Sequence, residues 1–323
     1  MKKVRLLIFV VAYNHEKFVE SVINRIPKKL SKLYDLEILI IDDASKDNTF
    51  EISKKLQTIY KKKRIFKINV FYNPINQGYG GNQKIGYHYS IKQKFDFVVL
   101  LHGDGQYAPE ELPKLLDCLN HGKFDVVIGS RMIKKKNALK GGMPLYKLIG
   151  NIILTKIQNF LLKTKLAEYH TGYRIYSVKS LKKIPFHFNT NDFHFDTEIL
   201  IQLVMNKERM KEVSIPTFYG NEICHVNGMK YAFNVLRVSL LASLQEMMNL
   251  NFSKKFRIKR YPKKFSNLYI DKLLQKAMVK KQKQQPKQEE EEIKRTKSGR
   301  IICKYGFRCY FLRNLKYLFF YHP

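Results

Sequence analysis

The 323-residue chain has no tryptophan and only four cysteines, Cys118, Cys224, Cys303 and Cys309, with no C-x-x-C pair among them. That spacing gives no reason to expect a disulfide framework or a zinc knuckle, and a reducing compartment fits best. No stretch offers about 18 uninterrupted apolar residues, which argues against a membrane-spanning helix. Acidic side chains are scarce: 27 Asp and Glu stand against 60 Lys and Arg, a formal net charge of +33. Such a balance points toward something anionic, whether phospholipid headgroups, phosphorylated substrates or nucleic acid, or it reflects a lysine-rich surface spread along the whole chain. Met1-Lys2-Lys3 followed by Val4 to Val11 has the charge order of a leader peptide. Its apolar run is short, contains Arg5 and leads into polar Tyr13-Asn14-His15-Glu16, so it reads as a buried strand.

Short apolar runs then alternate with helical patterns. Val4 to Val11, Leu36 to Ile41, Ile65 to Tyr72 and Phe95 to Leu101 read as strands, while Phe18, Val22 and Ile26, and later Ile52, Leu56 and Ile59, recur at helical spacing. Strands rich in Val, Ile and Leu separated by helices imply an α/β fold whose mostly parallel sheet is covered on both faces. Ligands in such sheets collect past the carboxyl ends of the strands. Four polar stretches lie there: Tyr13 to Glu16, Asp42 to Asp47, Asn73 to Asn82 and His102 to Gln106. Further along, helices are predicted near Leu145 to Leu162, Thr197 to Met205 and Met229 to Leu250, with a loop around Tyr169 to Arg174 and a short strand near Glu212 to Pro216. From about Asn251 the chain becomes Lys-rich, then Gln- and Glu-rich, then basic and aromatic. The expected organisation is a domain over 1–250 and a basic, partly disordered extension over 251–323.

The densest chemistry lies in Val98-Val99-Leu100-Leu101-His102-Gly103-Asp104-Gly105-Gln106-Tyr107, a buried strand ending in a carboxylate flanked by glycines. A nucleoside diphosphate needs a hard divalent cation to neutralise its charge as it leaves, and Mg²⁺ or Mn²⁺ takes oxygen ligands with positions left open for phosphate. Asp104 and the amide oxygen of Gln106, two apart on a turn, can face one ion, and Gly103 and Gly105 let the backbone approach a ligand closely. An ordinary strand-end turn has the same composition.

These residues resemble those of the family 2 glycosyltransferases, and most of all the dolichol-phosphate mannosyltransferase group and its bacterial relatives. His102-Gly103-Asp104-Gly105-Gln106 matches in part the family's D-x-D-x-Q signature, Ala12-Tyr13-Asn14-His15-Glu16 its P-x-Y-N-E entry motif, and Asp42-Asp43-Ala44-Ser45-Lys46-Asp47-Asn48-Thr49 its D-D-x-S-x-D-x-T. Asn76-Gln77-Gly78, Ile128-Gly129-Ser130-Arg131, Glu168 through Gly172-Tyr173-Arg174, Phe193 to Glu198 and Glu212 to Pro216 continue the match in order. The resemblance implies a GT-A, Rossmann-like fold. It also implies that Ala12, Tyr13, Glu16, Asp43 and His102 line a nucleotide pocket, that Asp104 and Gln106 bind Mg²⁺ or Mn²⁺, and that Arg131 and Arg174 join Asp104 in catalysis by contacting phosphate oxygens. Guanidinium suits that contact; Asp42, by contrast, reads as a turn cap.

Two positions depart from the pattern. His102 replaces the first acidic residue, where a neutral imidazole can hydrogen-bond a ribose or sugar hydroxyl and, as the lesser reading, ligate Mn²⁺. Ala12 stands where the family often has proline. The implied reaction is an inverting transfer from a UDP- or GDP-linked sugar. A hydroxyl acceptor needs a carboxylate base, for which Glu168, Asp196 and Glu198 are candidates, whereas a lipid phosphate is already ionised. No E-D pair occupies the usual base position, which favours a polyprenyl-phosphate-type acceptor over a sugar hydroxyl of a surface glycan. A non-catalytic nucleotide-binding relative is the other alternative; nucleic acid is not an expected partner. Lys134-Lys135-Lys136, Lys254-Lys255 and Lys280-Lys281 with Lys283 can hold the protein at an anionic cytoplasmic membrane face. The helices near Leu145 to Leu162 and Met229 to Leu250 either lie in that interface or pack on their own core, and Tyr305 to Tyr321 reads as an anchor or a tail.

Overall fold

In the computed structural model the described residues are 3–120, 122–219, 227–248, 256 and 269–278. The expectations for Lys254-Lys255, the lysines from Lys280 onward and Tyr305 to Tyr321 fall outside them. Strands β1 (Arg5–Ala12), β2 (Asp35–Asp42), β3 (Lys67–Tyr72), β4 (Phe97–His102), β5 (Val126–Ser130), β6 (Arg174–Ser177) and β7 (Met210–Ser214) form one sheet in the order β3-β2-β1-β4-β6-β5-β7. The helices are α1 (Val19–Asn24), α2 (Leu30–Leu33), α3 (Thr49–Lys63), α4 (Tyr79–Lys92), α5 (Leu112–Asn120), α6 (Lys135–Lys140), α7 (Leu145–Leu162), α8 (Val178–Leu181), α9 (Phe195–Met205), α10 (Gly228–Met247) and α11 (Tyr269–Met278).

Every strand pairing is parallel except those of β6, which runs antiparallel to both β4 and β5. The mostly parallel α/β sheet expected from the sequence is therefore present. Alternate residues of β1 enter different cores, Leu7 and Phe9 on one side and Leu6, Ile8 and Val10 on the other, as the two-residue period of a strand requires. One core takes up α4, α9 and α11 through Ile85, Tyr87, Ile199 and Leu274; the other takes up α1, α3 and α5 through Val22, Leu56 and Leu115. Each face is buried in an apolar cluster, so a near-continuous apolar sequence is what these strands need.

The first four strands lie where the sequence placed them, within a residue or two. Strands β5 and β6 were not read: each is short, and β6 begins inside the segment expected to be a loop. The compact unit holding the sheet runs from Met1 to Lys280, past the boundary expected at Leu250. The reason is α11, whose Ile270, Leu274 and Ala277 are buried against the sheet side occupied by α4. Its Asp271 meets buried His88 at 3.1 Å and Lys92 at 2.7 Å.

Helix α7 is amphipathic in an unusual sense. Its inward face mixes buried Leu148 and Leu162 with buried Asn151, Thr155 and Gln158, Asn151 donating to Glu168 and Gln158 to Ser239 of α10. Its outward face presents Tyr146, Ile149, Ile153 and Phe160, exposed by 72%, 47%, 52% and 83%.

Candidate active site

The carboxyl ends of three neighbouring strands come together by register. Ala12 pairs with Asp42, and Val11 pairs with His102. The chain leaves these ends in bonded steps: the Asp43 N–H donates to the Ala12 carbonyl and the Gly103 N–H to that of Val11, each at 2.9 Å. The loops after β1, β2 and β4 are thus fixed to one another before any ligand arrives.

The Asp42 and Asp43 carboxyls do different jobs. Asp42 Oδ1 accepts the Ser45 N–H at 2.7 Å, the turn cap that the sequence implied. Asp43 Oδ1 accepts from Asn73 Nδ2 at 2.7 Å and from the Gln77 N–H at 2.8 Å, tying the turn after β2 to the loop after β3. Burial pushes the Asp43 carboxyl above its ordinary range, against the bonds from Gln77 and Asn73 that pull it down. Glu16 accepts from the backbone and side-chain nitrogens of Asn48 at 3.0 and 3.1 Å, holding the loop after β1 onto the start of α3. Tyr13 is half-buried beside it, and Ala12 is buried.

After β4, Asp104 Oδ1 accepts the Gln106 N–H at 3.0 Å, which closes the turn around Gly105 at φ 79°. The Asp104 carboxylate is partly open, and its Oδ2 lies 3.9 Å from His102 Nδ1. On the other edge of the imidazole, Nε2 is 2.9 Å from Tyr79 Oη, which donates to Asp196 Oδ2 at 2.8 Å. Asp196 Oδ1 accepts from Gln83 Nε2 at 3.0 Å. Burial lowers the His102 pKa, and burial with the Asp196 charge holds the Tyr79 hydroxyl well above its ordinary value.

The two arginines expected at phosphate are bonded within the protein. Arg174 is fully buried, donating to the backbone carbonyls of Thr171, Asp196 and Tyr169 at 2.8, 2.6 and 2.7 Å and to Tyr176 Oη at 3.3 Å. A guanidinium so enclosed cannot reach a diphosphate in this arrangement; it braces β6 and the start of α9. Arg131 is 8% exposed and lies against Glu168, which accepts from its Nε at 3.1 Å and from its N–H at 2.7 Å. Its Nη1 reaches Tyr219 Oη at 3.2 Å.

The family model described as "Glycosyl transferase family 2" matches residues 7–185, the span that supplies all of these strand ends. The chain belongs to that family. Among characterised relatives of this glycosyltransferase, the UDP-N-acetylglucosamine--dolichyl-phosphate N-acetylglucosaminyltransferase of Methanococcus voltae is 31% identical over 66% of this chain and 86% of its own. The polyprenol monophosphomannose synthase of Mycolicibacterium smegmatis is 24% identical over 68% and 79%. Of solved structures, glucosyl-3-phosphoglycerate synthase from Mycobacterium tuberculosis, in complex with Mn²⁺ and UDP-glucose, superposes with a TM-score of 0.53 at 16% identity, covering 76% of this chain and 79% of that one. That likeness shows a shared GT-A fold.

Ala12, Tyr13, Glu16, Asp43, His102, Asp104 and Gln106 of the glycosyltransferase thus sit on the three linked loops, while Arg131 and Arg174 stand behind them. The three candidate bases are all engaged. Glu168 is fully buried under Arg131 and Asn151, Glu198 is fully buried and accepts the Thr190 N–H at 2.6 Å, and Asp196 is held by Tyr79 and Gln83. Tyr79, Gln83 and Gly172 were not singled out in the sequence as site residues. Tyr79 follows Asn76-Gln77-Gly78 by one position, and only the pairing of α4 with the end of β4 gives it a role.

Proposed function

We propose that this glycosyltransferase moves a sugar, with inversion, from a UDP- or GDP-linked donor to a polyprenyl-phosphate-type lipid at a membrane surface. The observation that carries the reading is the engagement of Glu168, Asp196 and Glu198. A hydroxyl acceptor must lose a proton to a positioned base, and each candidate carboxylate is already tied up. A lipid phosphate attacks as an anion and asks for no base. The names of the relatives, which act on dolichyl or polyprenol phosphates, support the same class.

Asp43, Tyr13, Glu16 and Ala12 form the nucleotide side of the crevice, with the Asp43 carboxylate placed to accept from base or ribose. Asp104, with Gln106 beside it, would hold Mg²⁺ or Mn²⁺ against the donor diphosphate. The cation, when bound, neutralises charge that develops on the leaving nucleoside diphosphate. Arg174 and Arg131 position the walls. A cavity of about 120 Å³ lined by Asp192, Phe193, His194, Asn227, Lys230 and Tyr231 adjoins the site through Phe193, which stacks on Tyr79 at 5.4 Å. Lys230 gives this opening a cation for the acceptor phosphate.

Among the described residues, no helix is long and apolar enough to cross a membrane. The outward faces of α7 and α10 instead provide a peripheral surface. Tyr146, Ile149, Ile153 and Phe160 on α7 and Met229, Phe233 and Met247 on α10 are exposed, and Lys156, Lys163, Lys230 and Arg237 lie on or beside the same two helices. An apolar stripe edged with lysines fits the boundary of an anionic bilayer. The inward face of α7 is only part apolar, with Leu148 and Leu162 buried beside Asn151, Thr155 and Gln158, and the exposed outward residues are left over for such a surface.

Incubation with UDP- and GDP-linked sugars, with polyprenyl phosphate in vesicles or with oligosaccharides, tests the reading. Acid-labile lipid-phosphate sugar as the product supports it. Transfer only to oligosaccharide hydroxyls, or donor hydrolysis without any acceptor product, sinks it.

A further inference from the structure

The bonds around Tyr79 determine which nitrogen of His102 carries its proton. Tyr79 Oη has one proton and donates it to Asp196 Oδ2 at 2.8 Å. The 2.9 Å contact with His102 Nε2 is therefore completed by Nε2–H donating to Oη. Asp196 remains an acceptor because Gln83 donates to its other oxygen at 3.0 Å and the Arg174 guanidinium lies 3.8 Å away. With Nε2 committed to Tyr79, Nδ1 is the ring nitrogen whose lone pair is offered to a cation. It lies 3.9 Å from Asp104 Oδ2, and no described residue donates a hydrogen bond to it.

Two acceptors thus face each other with no proton between them. A divalent cation binding each at about 2 Å fits in that gap. The ring is also locked in this orientation. A Cβ on Gly172 would lie 2.2 Å from His102 Nε2 and 3.1 Å from Tyr79 Oη, so glycine alone lets the Nε2 edge sink into the wall and leaves Nδ1 facing outward. Tyr107 packs edge-on against the imidazole at 5.0 Å between centroids. Histidines that bind metals through one nitrogen characteristically donate the other N–H to an anchored acceptor, here Tyr79 held by Asp196.

We propose that His102 is a ligand of the divalent cation through Nδ1, alongside Asp104, with Tyr79, Asp196 and Arg174 as positioning residues. This rests on the metal-dependent donor site of the proposed function, and it gives His102 the role that the sequence alone ranked second. An imidazole in place of a carboxylate removes one negative charge and adds a softer donor. The site therefore favours Mn²⁺ over Mg²⁺, which prefers an all-oxygen shell.

The test is titration of Mn²⁺ and of Mg²⁺ into the full chain saturated with UDP, and separately with GDP, for wild type, His102→Ala and His102→Asp. Free Mn²⁺ is followed by electron paramagnetic resonance, and nitrogen coupling to bound Mn²⁺ by electron spin echo. Wild type is expected to bind Mn²⁺ roughly tenfold or more tightly than Mg²⁺ and to show imidazole nitrogen coupling. His102→Ala is expected to lose the coupling and on the order of tenfold to a hundredfold in Mn²⁺ affinity. His102→Asp should lose the coupling, keep Mn²⁺ binding and narrow the gap to Mg²⁺. Bound Mn²⁺ without nitrogen coupling in wild type overturns the proposal, as does a His102→Ala affinity within about twofold of wild type. Nucleotide binding that needs no cation overturns this ligand assignment and leaves the transferase reading standing. If wild type binds neither nucleotide, both fall.

Discussion

Arg131 and Glu168 are joined twice, once through the guanidinium, whose Nε donates to Glu168 Oε1 at 3.1 Å, and once through the Arg131 backbone N–H, which donates to Glu168 Oε2 at 2.7 Å. Neither partner is more than 8% exposed. Removing one side leaves a buried charge unpaired, so Glu168→Ala is expected to cost about 3–5 kcal/mol, read as a shift in the urea unfolding midpoint. A Glu168→Ala protein of wild-type stability that fails only in turnover would return Glu168 to the role of catalytic base.

Burial gives Asp43 a pH signature in the folded protein. Its folded carboxyl titrates above the unfolded value because burial disfavours the anion. The stability it contributes is therefore complete below the ordinary carboxylate range and is lost as pH rises through the raised folded value. Asp43→Asn, which keeps an oxygen acceptor for Asn73 and Gln77, is expected to melt no lower than wild type at pH 7, with its advantage shrinking as the pH falls toward 4. Nucleotide affinity should fall by roughly tenfold or more, as for a lost charged hydrogen bond. Paired thermal melts and calorimetric nucleotide titrations across pH measure both.

Gly172→Ala drives a methyl group to 2.2 Å from His102 Nε2. The ring must move or the loop before β6 must shift, an overpacking cost of about 1–3 kcal/mol. Thermal melts should show that loss, and Mn²⁺ binding should weaken together with it. Unchanged metal binding would mean that the imidazole orientation is immaterial.

A chain ending at Leu250 lacks α11 and uncovers the surface under Ile270, Leu274 and Ala277. It should be less stable than one ending at Lys280 by several kcal/mol, given about 1.5–3 kcal/mol for each large apolar side chain buried. Urea denaturation of the two distinguishes a structural α11 from a dispensable one.

Phe160 and Phe233 are 83% and 67% exposed, so replacing them by glutamate costs the fold little. Flotation with anionic liposomes should show the double variant losing most of its bound fraction while its melting temperature stays within a few degrees of wild type. Equal flotation would remove the α7 and α10 faces from the membrane reading.

How far the sequence reveals this architecture depends on what each signal measures. β1 to β4 stand out because strands buried on both faces need unbroken apolar runs. α4 does not, because it is enclosed on all sides and follows no stripe; Gly86 is there to let the helix come within contact of the Phe9 ring, where a Cβ would lie 2.2 Å from the nearest ring atom. The motifs name Asp43, Asp104 and His102 correctly as strand-end residues, since register alone brings them together. Residue type could not tell that Arg174 is enclosed: a guanidinium suited to phosphate is equally suited to four carbonyl and hydroxyl oxygens, and only the antiparallel insertion of β6 decides between them. Asp196 likewise reads as a helix start or a base until Tyr79 arrives from a distant helix.

The exposed apolar face of α7 carries a consequence for energetics. In water its outward face forgoes burial, and the helix is held by its inward face alone, where Leu148 and Leu162 pack beside the polar contacts of Asn151 and Gln158. A bilayer that binds the folded chain and not the unfolded one acts as a stabilising ligand, adding free energy in proportion to the logarithm of lipid concentration once binding is saturated. The lipid surface then becomes a thermodynamic component of the native state, and thermal stability should climb as vesicles are added.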